Sequence, residues 1–327
     1  MQHKGKMCKF AGKLARGIMI NRKLIRLKAV QIAYAYHVNG GNKPEKATNE
    51  LLFSLEKAYE LYHYLLLLPV AVWEIGREEY EVEERRFRRM EGGTLPNRKF
   101  ADNLFVRQLM ENKELGAFVE SHGRVWDDEE EFVRGVYKDI TGKRYYVSYM
   151  DACESDYAAD RELWRKIYKT VVYENEALEE LLEDKCVYWC DDKFIVDTFV
   201  LKTIKRFRQE NGADQPLLPE YESAEDKRFA TDLLHTALTR KAYYQKLISE
   251  NTKNWEFERI CVMDLVIMEL ALAEITTFAD IPVSVSLNEY VEVAKEYSTP
   301  QSGRYVNGML NAIVEKLQEE NLITKNN

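Results

Sequence analysis

From Asn21 to Val38 the apolar residues Leu24, Leu27, Val30 and Tyr34 return at spacings of three and four, the period of one helix face. Asn39-Gly40-Gly41-Asn42 breaks that pattern, so a first helix is predicted to end near Val38. Pro44-Glu45 opens a second, since proline is favoured in a first helical turn, and Leu51, Leu52, Leu55, Tyr59 and Tyr62 share its inner face until Pro69 interrupts it. His63, lying among Tyr and Leu, reads as a core or rim residue. Glu74 to Glu91 is nearly all charge and reads as a solvated helix face, because the glutamates beside Arg85, Arg86, Arg88 and Arg89 neutralise them.

A loop at Gly92–Asn97 is followed by predicted helices at 98–111, 113–121 and 128–139. Gly142 to Met150, with Tyr145, Tyr146 and Val147, is the one stretch that reads as strand or irregular chain. Helices are expected again at 153–172, 174–183 and 192–209. Asn211 to Pro219, with Pro216, reads as a linker and domain seam. Beyond it, Phe229, Leu233, Ala237 and Tyr244 mark a helix, Ile260 to Ile275 is apolar enough for a central core helix, and Pro282 opens another through Val291, Ala294 and Tyr297. Ser302 reads as the N-cap of the last, whose inner face is Val306, Leu310, Ile313 and Leu317. The pattern predicts an all-α bundle.

Composition supports this. The chain of 327 residues holds 15 Gly and 7 Pro, too few turn-formers for a β-sandwich, and has no glycine-rich phosphate loop. The longest apolar run, Leu65 to Trp73, is far short of the roughly 20 residues that cross a bilayer, so no membrane span is expected. Five cysteines, thinly spread, suit reduced thiols and a cytoplasmic location. Cys186 and Cys190 have no second pair at metal-ligand spacing, and no metal site is expected. Met19 reads as an alternative start, which makes residues 1–18 an extension expected to be disordered.

Net charge is −8, which excludes a nucleic-acid binder held by bulk basicity. The charge is uneven, however: residues 1–28 carry nine bases and no acid, while the rest carries 38 bases and 55 acids. No His, Asp and Ser or Cys sit together in a glycine-bounded turn that would expose a nucleophile, so neither an enzyme nor a cofactor is expected. Two segments read as recognition surface. Arg22, Lys23, Arg26 and Lys28 lie within two helical turns, and three of them can meet one phosphate strand; a solvated helix start explains the spacing equally well. In Ser298–Tyr305, a polar turn runs into a helix N-terminus where Arg304 can pair with phosphate and Tyr305 can stack on a base, and an ordinary capped turn is the equal alternative.

The C-terminal segment decides between these. Ile281-Pro282-Val283-Ser284-Val285-Ser286-Leu287-Asn288-Glu289-Tyr290-Val291-Glu292-Val293-Ala294-Lys295, followed by Ser302-Gly303-Arg304-Tyr305-Val306-Asn307-Gly308-Met309-Leu310-Asn311-Ala312-Ile313, resembles the signature of the NusB family of transcription antitermination factors. The likeness extends through Phe229-Ala230-x-Asp232-Leu233-Leu234, Met263-Asp264 and Leu270-Ala271-x-Ala273-Glu274-Ile275. Arg22-Lys23-x-x-Arg26-x-x-Ala29-Val30-Gln31-x-x-Tyr34 is similar to the family's first helix. The resemblance implies a NusB-like helical bundle that acts with the small-subunit ribosomal protein NusE, binds the boxA element of rRNA leader RNA, and joins the RNA polymerase antitermination complex. It implies that Arg22, Lys23 and Arg26, with Lys28 beside them, meet RNA, that Gln301, Ser302, Arg304 and Tyr305 complete that surface, and that Asp264 and Glu258 face the ribosomal protein.

Leu24 and Ile25 interrupt the family's arginine run, and Leu265 and Glu269 stand where arginine is common. The expected organisation is an extension at 1–18, a first NusB-like helix at 19–40, a helical insertion at 41–215 and a C-terminal NusB-like bundle at 216–322. The alternative is a helical interaction or ribosome-assembly protein whose insertion binds another partner.

Overall fold

The computed structural model describes residues 19–41, 43–89, 94–153, 156–252 and 257–323, and the expected extension at 1–18 lies outside them. Helices follow one another as α1 (Arg22–Val38), α2 (Pro44–Arg89), α3 (Leu104–Glu111), α4 (Lys113–His122), α5 (Glu130–Thr141), α6 (Arg144–Asp151), α7 (Tyr157–Ile167), α8 (Glu176–Lys185), α9 (Lys193–Arg206), α10 (Ala224–Thr239), α11 (Lys241–Glu250), α12 (Val262–Thr277), α13 (Val283–Tyr297) and α14 (Ser302–Glu319). No strand occurs among the described residues, and no helix there is long and apolar enough to cross a membrane. The fold is all-α. It divides into two compact units, one within residues 57–220 and one that gathers 20–56 with the chain from 221 onward.

In the second unit α12 is the hub. Every residue from Asp264 to Ile275 is buried, because α10, α11, α13, α14 and α1 pack around the helix and leave it no solvent face. Ile267, Met268, Leu270, Leu272 and Ile275 are fully buried, each worth about 1.5–3 kcal/mol on transfer from water.

In the unit within 57–220, asparagines set the helix boundaries. Asn112 ends α3 and caps α4, its Oδ1 accepting from Leu115 N–H at 3.1 Å while its Nδ2 donates to Gln215 O at 2.7 Å. Asn103, Asp156 and Asn175 cap α3, α7 and α8 in the same way. Tryptophan indoles fasten the layers, Trp73 to Ala101 O, Trp126 to Tyr64 O and Trp189 to Lys57 O, at 3.1, 2.9 and 2.8 Å. The stretch read as a linker is packed rather than loose: Leu217 and Leu218 are buried, and Tyr59 and Tyr62 bond the Leu218 backbone at 3.1 Å each.

Three expectations are corrected. Pro69 does not end the second helix, because α2 runs on to Arg89. The lost backbone bond costs about 3 kcal/mol, and burial of Leu61, Leu65, Leu68, Val72 and Trp73 on both sides of it outweighs that. Gly142–Met150 is not a strand: α6 forms there, its Tyr146 and Tyr149 buried three residues apart, so helical spacing overrides the β-prone composition. Ser302 is the first residue of α14 rather than its N-cap, a position held by Gln301.

Candidate nucleic-acid and partner surface

Asn21 caps α1, its Oδ1 accepting from Leu24 N–H at 3.0 Å, which fixes the two turns that carry the basic residues. Arg26 points inward. Its Nε and Nη2 donate to the two oxygens of Glu274 on α12, 2.8 Å each, and the two residues are 4% and 0% exposed. Glu274 also accepts from Ser286 Oγ at 2.7 Å and Tyr290 OH at 3.1 Å, so four side chains from three helices close one buried network. Burial opposes the charge on Arg26, but the bonded Glu274 outweighs it and raises the guanidinium pKa. Arg26 is therefore a core residue here and not at the surface where a phosphate would meet it. The spacing that suggested a contact could not show this, because its partner lies 248 residues away in sequence.

The other α1 cations are also engaged. Arg22 pairs with Asp226 at 3.3 Å and Asp280 at 3.2 Å, and its guanidinium lies over the Phe229 ring, 5.0 Å from the centroid. Lys23 is half-buried; burial lowers its pKa against the pull of Glu289, Glu296 and Glu292 on α13. Lys28 is 3% exposed. Of the nine bases in residues 1–28 these four are described, and α1 offers little uncompensated positive charge.

The turn before α14 is built from α12 upward. Ser302, 1% exposed, donates to Asp264 Oδ2 at 2.9 Å and accepts from Thr299 N–H at 3.1 Å. A Cβ at Gly303 would overlap the Lys295 side chain, so glycine is what lets Lys295 lie across the start of α14. With Ser302 locked inward, Gln301, Arg304 and Tyr305 project outward. No carboxylate pairs with Arg304 among the described residues, which sets it apart from Arg22 and Arg26.

Asp264, expected to face a partner, is 5% exposed and holds Ser302 instead, with its Oδ1 buried and without a hydrogen bond. Glu258 is exposed on the short turn before α12. Glu269 is buried, accepts from Gln245 Nε2 at 2.7 Å, and is pushed up to about 7 by burial, against the opposing pull of Gln245 and Lys241. The sequence signal for the Glu274 network was a glutamate, like Glu269 before it, inside an apolar run, which demands a buried partner. Among the described residues no three His, Cys, Asp or Glu side chains converge as a metal site.

Comparison with known proteins gives this arrangement a relative. A family model described as the NusB family matches residues 195–315, from the first turn of α9 into α14. The transcription antitermination protein NusB of Dictyoglomus thermophilum is 43% identical over 97 residues, covering 30% of this chain and 67% of that protein. Its namesake in Salinibacter ruber is 33% identical over 132 residues, 38% of this chain and 82% of that protein. That of Geotalea daltonii is 33% identical over 138 residues, 42% and 91% respectively. No solved structure matches the chain. Asp264, Glu258, Gln301, Ser302, Arg304 and Tyr305 fall inside the matched span, and Arg22, Lys23, Arg26 and Lys28 outside it.

Proposed function

The chain belongs to the NusB family of transcription antitermination proteins, which are not enzymes, and from that premise we propose that it binds boxA-type rRNA leader RNA together with the ribosomal protein NusE within the polymerase antitermination complex. One observation carries the RNA reading: Arg304 is exposed and unpaired beside Tyr305, on a turn that Ser302 and Asp264 hold rigid from below. A guanidinium bonds phosphate in charge-assisted fashion, and an adjacent tyrosine ring supplies a stacking face for an unpaired base. Gln301 adds an amide at the same edge. Arg22 and Lys23 contribute at the rim, where RNA would compete with their acidic partners. Arg26, Lys28, Ser302 and Asp264 act as positioning residues, and Glu258 remains on the side proposed for NusE. We read α1 and the chain from 221 as the family bundle and the helices between them up to α8 as the insertion, since the family match already opens within α9.

The test is RNA binding by the full chain, with and without the ribosomal protein, on boxA-containing and scrambled RNA. Arg304→Ala with Tyr305→Ala is expected to cost about 1–3 kcal/mol on boxA RNA. Equal binding of both RNAs by the wild type, or no loss in the double variant, overturns the reading. One feature favours the alternative of an insertion-borne partner. Val70, Ala71, Met110, Val119 and Val125 line a groove of about 240 Å³ in the 57–220 unit, and Arg124, bonded to Glu74 and Asp127, is also in its lining. Capture of assembly factors without NusE would support it.

A further inference from the structure

The groove of about 240 Å³ in the 57–220 unit is lined by four segments: α2 through Val70 and Ala71, α3 through Met110, α4 through Gly116 and Val119, and the turn after α4 through Val125. Its walls are held from behind. Phe118 of α4 stacks on His63 of α2 at 4.9 Å, and Glu114 of α4 accepts from Leu217 N–H at 3.2 Å. Trp126, also in the lining, packs on the Tyr64 ring at 4.2 Å while its indole donates to the Tyr64 carbonyl at 2.9 Å. Sites for whole small molecules span roughly 300–1,000 Å³, so this opening suits one or two large side chains better than a cofactor.

The fold gives no reason for Gly116. It lies inside α4 with an ordinary helical backbone, and a Cβ there would meet no atom within 4 Å, so neither a turn nor crowding asks for glycine. Glycine inside a helix is costly relative to alanine. Its missing side chain keeps the α4 wall open, in a groove that also leaves Met110 43% exposed.

The charge around the groove is one-sided. Residues 107–131, which supply every wall but α2, hold eight acids and three bases. Arg124 is bonded to Glu74 and Asp127, and Lys113 to Asp214, so Arg107 is the one base of that stretch without an ion pair among the described residues. Asp127, Glu129 and Glu130 have cationic partners, whereas Glu111, Glu120, Asp128 and Glu131 are exposed and have none there. Glu111 follows Met110 in the chain, Glu120 follows Val119, and Asp128 follows the lining residue Asp127. The helix dipole favours anions at the start of α5, which accounts for the acids at 128–131. It disfavours them at the C-terminal ends of α3 and α4, where Glu111 and Glu120 stand. An apolar opening among uncompensated acids is complementary to an apolar side chain whose neighbours are cations.

We propose that this groove is the docking site of a basic protein segment, which seats a large apolar side chain against Gly116 and sets lysines or arginines beside Glu111, Glu120 and Asp128. The inference goes beyond the RNA reading, which uses no residue of the 57–220 unit, and it gives the partner of that unit a defined chemistry.

The test is fluorescence anisotropy of the full chain with three labelled peptides of equal length: lysine with leucine three and four residues apart, the same peptide with serine for leucine, and the same peptide with glutamate for lysine. The lysine–leucine peptide is expected to bind, and each of the others to bind at least about tenfold more weakly, the factor that burial of one large apolar side chain supplies. Gly116→Leu fills the groove from α4 and is expected to weaken the lysine–leucine peptide at least about tenfold without lowering the unfolding midpoint. Gly135→Leu, at an equally open glycine on α5, leaves binding unchanged. Glu111→Gln with Glu120→Gln flattens its salt dependence. If Gly116→Leu fails to fold, Met110→Lys, at an exposed position, gives the same loss. Unchanged affinity in a folded groove variant overturns the proposal. So does equal binding of the serine peptide, which reduces the site to surface charge, or of the glutamate peptide, which removes the basic occupant. A dimer in sedimentation that Gly116→Leu dissociates gives the groove to a second copy and also overturns it. BoxA RNA affinity, measured on the same variants, is expected to be unchanged, so either reading can fail without the other.

Discussion

Replacing Arg26 separates a core role from an RNA role. Arg26→Ala removes one partner of an ion pair whose members are 4% and 0% exposed, and leaves the Glu274 carboxylate buried. Breaking such a pair costs about 3–5 kcal/mol. Ser286 and Tyr290 still donate to Glu274 at 2.7 and 3.1 Å, which places the carboxylate loss near the lower limit, about 3 kcal/mol. Loss of the guanidinium over Phe229, 5.5 Å from the ring centroid, adds up to about 1 kcal/mol. At roughly 2–4 °C per kcal/mol, the unfolding midpoint of the unit containing 20–56 and 221 onward falls by roughly 10 °C. Urea and thermal unfolding followed by circular dichroism read this out, and Arg26→Met with Glu274→Leu is expected to recover most of the loss, because no charge is then left buried. Arg22→Ala, whose carboxylate partners are on the surface or near it, costs less than about 1 kcal/mol. The reasoning fails if Arg26→Ala costs less than about 1 kcal/mol, or if it leaves stability unchanged while RNA affinity drops.

Three further outcomes follow from single sites. Glu269, raised from 4.5 to about 7 by burial, favours its neutral form in the fold, so the stability tied to it is complete below pH 4.5 and is lost as pH rises through 7. Glu269→Gln is therefore expected to be more stable than wild type at pH 8, by up to about 3 kcal/mol, and to flatten the pH profile of denaturant midpoints. Ser302→Ala leaves the buried Asp264 without its hydroxyl donor, at about 1–3 kcal/mol, and is expected to raise amide exchange across 298–305. Gly76→Ala drives a methyl into the Phe100 and Tyr137 rings and is expected to cost about 1–3 kcal/mol in a thermal melt.

Helix type and order were legible because they depend on periodicity within a short window: Leu24, Leu27 and Val30 announce α1, and Asn39-Gly40 its end. Pro69 was misread because the rule for proline is local, whereas the burial that keeps α2 helical through it depends on tertiary packing. Tyr145, Tyr146 and Val147 misled for a related reason, since β-propensity reports how a residue suits a half-buried surface and α6 provides one for Tyr146 and Tyr149.

The charge reading shows the same limit more sharply. Counting bases along residues 1–28 identifies where cations lie in the chain, but whether a cation faces solvent or an acid is a property of tertiary pairs such as Arg26 with Glu274 and Arg22 with Asp280. The field a polyanion meets is the sum after pairing. By that measure α1, with its dense basic run, presents less free charge than its sequence suggests, because Arg22 and Arg26 are paired with Asp226, Asp280 and Glu274. A family motif points to the residues that build the bundle and its turn at Ser302. The surplus charge that reaches solvent depends on which acids the fold brings beside each base, so the four cations named from α1 divide into rim and core residues, while Arg304 retains its charge for an outside ligand.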